Sequence, residues 1–378
     1  MARSVESRVL QFCHGYDGPF LDCARQYASL FKGTSYKVTT VFLTGKPSAE
    51  VAKQCASDEV LFMDFTSADV RGLKLKAIRD LRAIAASRDF KFCIAHRFKP
   101  IWIACLATSL PVIGVHHAFG DYERWGRRLF ANWQKKRLSL LGVSNAVRDD
   151  MRKCLPAWPS DRIETLYNHI SIDQVRSKLL SRIEARHALH LDKHAWIVGN
   201  VGRLHPDKDQ ATLLRAFALA KPKLPKNSQV AIMGTGRLGD QLKGLAKELA
   251  IAEDVLFLGQ VEQARSYFKA FDLFALTSDK EPFGMVLLEA MAADIPIICS
   301  DCGGGREVVK DVGILFPFGD EQLLAEALVR MSQLTLEQLQ SCHDAMQVKL
   351  YSHFSDESVE QTFWRLPMVQ PFRINDVG

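Results

Sequence analysis

Short apolar runs alternate with longer amphipathic segments along nearly all of this 378-residue chain, and that alternation limits the fold more than any other feature. In the first half the runs fall at Arg8–Cys13, Lys37–Leu43, Val60–Phe65, Phe92–His96, Val112–His116 and Leu140–Ser144. In the second half they fall at Trp196–Val201, Gln229–Met233, Val255–Leu258, Leu273–Leu276, Pro296–Ser300 and Gly313–Phe316. Helical patterns fill most of the intervals, among them Gln210–Ala220, Leu238–Ala250 and Val286–Ala293. Strand followed by helix, repeated, is the pattern of a parallel α/β sheet. Two successive sets, each opened by a glycine-containing turn, predict two Rossmann-like domains. The first spans residues 1–168 and the second 169–355, with the tail 356–378 packing back on the first.

At 47% hydrophobic residues, the chain has enough apolar surface for two cores. Its start, MARSVESRVLQFCHGYDG, lacks the apolar stretch of a signal peptide, and no window reaches membrane-spanning length. Nine cysteines at scattered spacings then suit a reduced, cytoplasmic setting and not a disulfide framework. A net charge of +6 favours an anionic partner without naming it.

Two glutamates bracket Glu281-Pro-Phe-Gly-Met-Val-Leu-Leu-Glu289. As one helix, both carboxylates would share a face. Pro282 and Gly284 argue instead for a loop, with the helix starting near Met285. Glu281 then stands in the loop and Glu289 inside the helix. The free N–H groups around Gly284 to Val286 lie between them. Carboxylates accept from sugar hydroxyls and helix N-termini attract phosphate, so the segment suits a sugar on a diphosphate.

Three further stretches bear on anion binding. Gly199-Asn-Val-Gly-Arg-Leu-His-Pro-Asp-Lys-Asp209 places Arg203 and Lys208 at a strand end, where open α/β sheets bind ligands. A guanidinium fork and an ammonium can together neutralise a diphosphate. Met233-Gly-Thr-Gly-Arg237, with Gly234, lets backbone approach a ligand closely. Cys302-Gly-Gly-Gly-Arg-Glu307 links a strand to a helix with little side-chain bulk. Taken singly, each reads equally as a solvated loop or plain turn.

Taken in order, GNVGRLHPDKDQATLL, MGTGRLGDQLKGLA, VLFLGQV, EPFGMVLLEAMAADIPIICSDCGGGREVV and GILFPFGD resemble the retaining GT-B glycosyltransferases of family 4. The resemblance runs from Gly199 to Asp320, and LLGVSNAVRDDM and TLYNHISID look like that family's interdomain segments. Two departures stand out. Asp294 replaces the usual glycine after EAMA, and the first loop, Cys13-His-Gly-Tyr-Asp-Gly-Pro-Phe20, keeps Gly15 and Gly18 without a paired Gly-Gly.

The resemblance implies two Rossmann-like domains facing across a cleft that holds a nucleotide-sugar donor, UDP-hexose by default. Arg203 and Lys208 would contact the diphosphate, Glu289 the ribose and Glu281 the hydroxyls of the sugar. Phe283, Gly284, Met285 and Val286 would add backbone contacts, and Gly15 and Gly18 would let the first domain's loop approach donor or acceptor. A histidine near the reacting carbon corresponds to His116 or His117, with the strand end favouring His116. Retention by same-face attack, with the departing phosphate taking the acceptor proton, assigns Glu281 to positioning and not to nucleophilic attack.

No cofactor or metal is expected, since no D-x-D motif lies on a suitable loop and Arg203 with Lys208 supplies the positive charge. Cys299-Ser-Asp-Cys302 has no second pair to complete a zinc site and reads as two free thiols. On the acceptor side, residues 121–137 mix six cations with Trp125, Phe130 and Trp133. That mixture suits an anionic membrane surface and a glycan or phosphorylated glycolipid acceptor, such as a lipopolysaccharide core. Arg97, Lys99, Arg148, Arg152 and Lys153 would extend the patch. No nucleic-acid-binding signature accompanies it. An epimerase, a phosphorylase and a non-catalytic nucleotide-sugar sensor remain alternatives, because fold does not fix reaction.

Overall fold

The computed structural model describes residues 6–373. The expected ends of the chain, residues 1–5 and 374–378, lie outside the described residues. The chain divides into two compact units, Met1–Asn168 with Asp356–Gly378, and His169–Ser355.

Unit 1 is built on a seven-stranded sheet in which every pairing is parallel. Its strands are β1 Arg8–Cys13, β2 Lys37–Thr44, β3 Glu59–Phe65, β4 Phe90–His96, β5 Val112–His116, β6 Leu138–Gly142 and β7 Ile163–Thr165. They lie in the order β3-β2-β1-β4-β5-β6-β7. The order reverses between β1 and β4, which register as Phe12 against Ala95. Strand β1 is buried from Val9 to Cys13 because helices cover both faces, so it reads as a continuous apolar run instead of an alternating one.

One expected boundary shifts here, and one strand was not expected, both for local reasons. Strand β6 ends at Gly142, two residues before the expected Ser144, because the Ser144 hydroxyl accepts from Val147 N at 3.1 Å and caps the helix Asn145–Cys154. Strand β7 is only three residues long, too short to show a period.

Along the tail, the helix Asp356–Phe363 seats Phe363 and Trp364 around Phe31. The indole N–H of Trp364 donates to Leu30 O at 3.1 Å, and the Tyr36 hydroxyl donates to Phe372 O at 2.7 Å.

Unit 2 carries β8 Trp196–Val201, β9 Ser228–Met233, β10 Val255–Gly259, β11 Leu273–Leu276, β12 Ile297–Ser300 and β13 Ile314–Phe316. Their order is β10-β9-β8-β11-β12-β13, again with every pairing parallel. The reversal falls between β8 and β11. Phe217, Ile232, Leu273 and Leu324 are among the side chains that close the core between this sheet and its helices.

The polar stretch 171–194 is not a plain linker. It folds as the helices Ile172–Arg176 and Arg182–Ala188, the second begun by a capping box between Ser181 and Glu184. Arg186 in that helix is buried, donating to Ala270 O at 2.8 Å and pairing with Asp272 at 2.7 Å. Among the described residues no helix is long and apolar enough to cross a membrane.

Candidate functional site

In open parallel sheets the loops at the carboxyl ends of the two strands flanking the reversal diverge and leave a crevice. In unit 2 those strands are β8 and β11. Their loops are stitched together before any ligand is considered. Thr277 Oγ1 donates to Lys208 O at 2.9 Å, and Asp279 N donates to Asp207 O at 3.0 Å. Buried Asn200 donates to Ala275 O at 2.8 Å, and Gln210 Nε2 donates to Arg203 O at 3.1 Å. Asp209, at φ +43, caps the helix Gln210–Ala220 through Thr212 and so orients the turn that carries Lys208.

Lys208 and Glu281, 73 residues apart, meet in this crevice, with Nζ 2.6 Å from Oε2. Ser278 Oγ donates to the same oxygen at 3.2 Å. The Glu281 side chain is 9% exposed and that of Lys208 is 20% exposed. A carboxylate this far from water is retained because a cation and a hydroxyl answer it. An ammonium has three donors, so Lys208 keeps two for another anion. Arg203 differs: its side chain is 71% exposed and pairs with the Asp207 carboxylate at 3.3 Å. It is an exposed guanidinium on the same loop as Lys208 of the Lys–Glu pair.

The surrounding turns are held by backbone packing. Gly234 sits at φ +145 and donates its N–H to Gly259 O at 2.7 Å; a Cβ there would lie 1.9 Å from Gly202 O. The two glycine loops therefore touch backbone to backbone, leaving no room for any side chain. Gly284, at φ +93, ends the loop and caps the helix Met285–Ala292, which starts where the sequence places it. The Met285 and Val286 N–H groups belong to its first turn and have no acceptor within the helix. Phe283 is anchored instead of offered, 2% exposed with its ring 5.7 Å from that of Phe354. Glu289 lies within the helix, 14% exposed, its carboxylate 3.8 Å from Arg265 Nε. Glu281 and Glu289 thus stand on different supports, loop and helix.

Cys299 is buried, and Cys302 is partly buried with its thiol on Ser278 O at 2.9 Å. Among the described residues no group of three or more His, Cys, Asp or Glu is arranged to hold a metal ion. Asp294 adopts φ +61, the left-handed conformation that glycine takes most readily and that aspartate tolerates. Its carboxylate accepts from Gln347 Nε2 at 2.6 Å, which supports an aspartate there.

Unit 1 gathers a different set of groups at its own reversal. His14 and Gly15 follow β1, Arg97 follows β4, and His117 follows β5. His117 Nε2 lies 3.1 Å from His96 Nδ1, and its Nδ1 lies 3.9 Å from Cys23 Sγ. Burial, then the neighbouring His116 and Arg97, drives the His117 imidazole down to about 3. Burial, with Arg97 and Lys99, takes His14 to about 4, and burial with His117 holds His96 well below its usual value. The cluster is therefore neutral near pH 7. His14 Nδ1 and His96 Nε2 are buried without a hydrogen-bond partner, the condition expected of groups that wait for a ligand or do chemistry.

His116, favoured over His117 from its place at the strand end, and His117 have different surroundings. His116 is 0% exposed, with Nδ1 2.7 Å from the Asp121 carboxylate and Nε2 3.1 Å from the Tyr122 hydroxyl. Both ring nitrogens of His116 have partners, as those of His117 have in His96 and Cys23, so it is exposure that separates the two residues. His117 is the ring that remains partly exposed. Burial pushes the Asp121 carboxyl up, but His116 and Arg127 more than offset it and leave it below the usual range. Of the loop glycines, Gly15 is buried beside Thr44, and Gly18 lies exposed at φ +57 before the helix Phe20–Ser29.

Arg97, read in the sequence only as an extension of the basic patch, lies near enough to lower the pKa of both His14 and His117. It has φ +73 and lays its guanidinium 4.8 Å from the Phe20 ring centroid. A non-glycine residue in that conformation at a sheet reversal is a recognised mark of a functional position. His14 and His96 were missed as well; their one sequence signal was position at a strand end. Arg148 and Arg152, expected to extend the basic patch, are engaged locally by Asn145 and Asp149, and by Ile163 O and Ser160 O respectively.

Residues 181–345 match the family described as Glycosyl transferases group 1. The chain is 34% identical over 173 residues to an N-acetylgalactosamine-N,N'-diacetylbacillosaminyl-diphospho-undecaprenol 4-alpha-N-acetylgalactosaminyltransferase of Campylobacter jejuni. That match covers 45% of this chain and 44% of the relative. The chain spans about half the length of the curated relatives it matches, or less. Among solved structures, a glycosyltransferase from Rickettsia africae superposes with a TM-score of 0.82 at 15% identity, covering 94% of this chain and 96% of that one. HepE of Anabaena in complex with UDP-glucose does so with a TM-score of 0.76 at 18% identity, covering 97% and 99%. At these identities the likeness establishes the fold, two Rossmann-like units of the GT-B kind.

Proposed function

We propose, from the premise that residues 181–345 belong to the glycosyl transferases group 1 family, that the chain is a retaining family 4 glycosyltransferase. It moves a hexose from a nucleoside diphosphate sugar, UDP-linked by preference, to a glycan or phosphorylated glycolipid. The observation that carries this reading is the buried Lys208–Glu281 pair at the reversal of the second sheet, beside the open first turn at Met285. Fixed cations and N–H dipoles can hold a diphosphate, and these residues supply both.

In this mechanism the two unused Lys208 donors and the exposed Arg203 fork take the diphosphate oxygens. They stabilise the charge that grows on the leaving nucleotide as the glycosidic bond breaks. Glu281 Oε2 is already committed to Lys208 and Ser278, which leaves Oε1 for a sugar hydroxyl. A carboxylate so tied down positions the sugar and is poorly placed to attack it. The acceptor hydroxyl then approaches on the face the leaving group occupies, and its proton passes to the departing phosphate. Glu289 holds the ribose, and on unit 1 His117, kept neutral by burial, offers its ring to a sugar hydroxyl.

Support for the nucleotide comes from the UDP-glucose named with the Anabaena structure, and for a lipid-linked acceptor from the undecaprenol diphosphate named with the Campylobacter relative. A cytoplasmic protein working at the face of an anionic membrane, on an acceptor such as a lipopolysaccharide core, fits both. The test is a thermal-shift screen of nucleoside diphosphate sugars, repeated on Lys208→Ala. One sugar nucleotide should raise the melting temperature of the wild type by mass action and leave the variant unmoved. The reading fails if none does. Product analysis with donor alone separates transfer from epimerisation, and a bound donor that never turns over would make the protein a sensor.

A further inference from the structure

Unit 1 exposes an apolar face that no sequence segment shows alone. On the helix Trp125–Gln134, Trp125, Leu129 and Trp133 recur every fourth residue and are 71%, 58% and 68% exposed, while Ala131 and Gln134 face inward. Some fifty residues earlier, in the turn before the helix Leu75–Ala86, Leu73 and Leu75 are 70% and 68% exposed on either side of Lys74. Rings connect the two patches. Lys74 Nζ lies 4.6 Å from the Trp102 ring centroid, Trp102 lies 6.2 Å from Phe130, and Phe130 lies 6.0 Å from Trp133.

The rim is basic. Lys74, Lys76, Lys99, Arg124, Arg128, Lys135 and Lys136 belong to these elements, and residues 121–137 hold six cations against Asp121 and Glu123. Asp121 neutralises Arg127, and Arg137 is tied to the carbonyls of Cys105 and Thr108, which leaves Arg124, Arg128, Lys135 and Lys136 for the margin. Large apolar side chains left in water within a basic margin match the interfacial layer of an anionic bilayer. Indole rings settle at headgroup depth there and cations meet the phosphates.

We infer that this composite face, made by the 73–75 turn, Trp102 and the outer side of the helix Trp125–Gln134, docks unit 1 on an anionic lipid surface. The inference rests on the reading that the acceptor is lipid-linked, and it adds how such an acceptor is reached. Trp102 stands on the helix Phe98–Ala107, which begins directly after Arg97 at the end of β4. One helical segment therefore joins the docking face to the histidine cluster. An acceptor headgroup leaving the bilayer meets Lys99 and Arg97 before it meets His117, with no need to leave the surface.

The test is co-sedimentation of the full chain with vesicles of phosphatidylglycerol and phosphatidylcholine, against phosphatidylcholine alone. The wild type should bind the anionic vesicles, release in high salt, and shift its tryptophan emission to the blue. Leu129→Ser/Trp133→Ser and Leu73→Ser/Leu75→Ser should each lower binding about tenfold, and Arg128→Glu/Lys135→Glu/Lys136→Glu at least as much. All are exposed or rim positions, so unchanged thermal unfolding shows that the variants fold.

Wild-type-like binding by the Leu73/Leu75 variant would overturn the composite face. Equal binding to both vesicle types would overturn the charge matching. Self-association abolished by the same variants, with no vesicle binding, would give the face to a second copy. In each case the donor thermal shift stays intact and the proposed function survives. Conversely, firm vesicle binding without transfer to any lipid-linked acceptor would sink the acceptor reading and leave the docking face standing.

Discussion

The two units place their functional groups at the same point of the same kind of sheet, yet assemble them from opposite materials. Unit 2 uses charge: Lys208, Glu281 and Arg203, set on two loops whose backbones are hydrogen-bonded together. Unit 1 uses imidazoles that burial keeps neutral, drawn from the ends of β1, β4 and β5. The contrast follows from the work each would do. A diphosphate needs fixed cations, whereas a sugar hydroxyl is met well by a neutral ring with one donor and one acceptor.

The sharpest way to break this comparison is in unit 2. Lys208→Ala should slow transfer about a thousandfold, roughly 4 kcal/mol of transition-state stabilisation, because it removes a cation from the leaving diphosphate and strands Glu281. A double-mutant cycle with Glu281→Gln should show strong coupling in both turnover and urea midpoint, since each side chain compensates the burial of the other. Single variants that turn over within tenfold of the wild type would remove the charged pair from the mechanism.

Next in size is Gly234→Ala. With a backbone oxygen 1.9 Å from the new Cβ and φ at +145, the loops must part, at a cost of about 3 kcal/mol. Urea unfolding and nucleotide titration should both register it, and a normal midpoint would mean that the loop junction is slack.

In unit 1 the two adjacent histidines should divide cleanly. His117→Ala should cut transfer about a hundredfold with little change in nucleotide affinity. His116→Ala should instead cost about 2 kcal/mol of stability, because it leaves Asp121 and Tyr122 without their buried partner. The reverse outcome, an inactive but fully stable His116 variant, would restore His116 to the site.

The gentlest test uses pH. His14 and His117 titrate at about 4 and about 3 in the folded chain, below the ordinary imidazole value near 6.5. Below pH 6.5 the unfolded chain therefore binds protons that the folded chain refuses. The stability these residues contribute is present above that pH and is lost as pH falls toward 4, at about 1.4 kcal/mol per pH unit for each proton of difference. Urea midpoints at pH 7.5 and 5 should show this fall, and His14→Asn should flatten it. An unchanged slope in that variant would mean that the cluster is already protonated when folded.

Much of unit 2 was legible because its site is nearly contiguous. Gly199 to Lys208 and Glu281 to Glu289 each run from a strand end into a helix, and proline and glycine mark the turns in the text itself. Even the start of the helix at Met285 followed from Gly284. Unit 1 offered no such run. His14, His96 and His117 are separated by 82 and 21 residues, and each alone reads as an ordinary strand-end histidine. Only parallel pairing of β1 with β4 and of β4 with β5 brings them together. Strand β7 and the two helices within residues 171–194 escaped for another reason, being too short for a period to emerge.

The sequence by itself determined the class of fold, the order of its elements and the donor-side motifs, because local periodicity and turn chemistry are written in neighbouring residues. Tertiary structure alone decided which of two adjacent histidines is wholly buried, that Lys208 answers Glu281, and that Lys74 lies over Trp102. Those outcomes depend on burial and on pairing across the sheets, and a residue's burial is fixed by chain that lies far away in sequence.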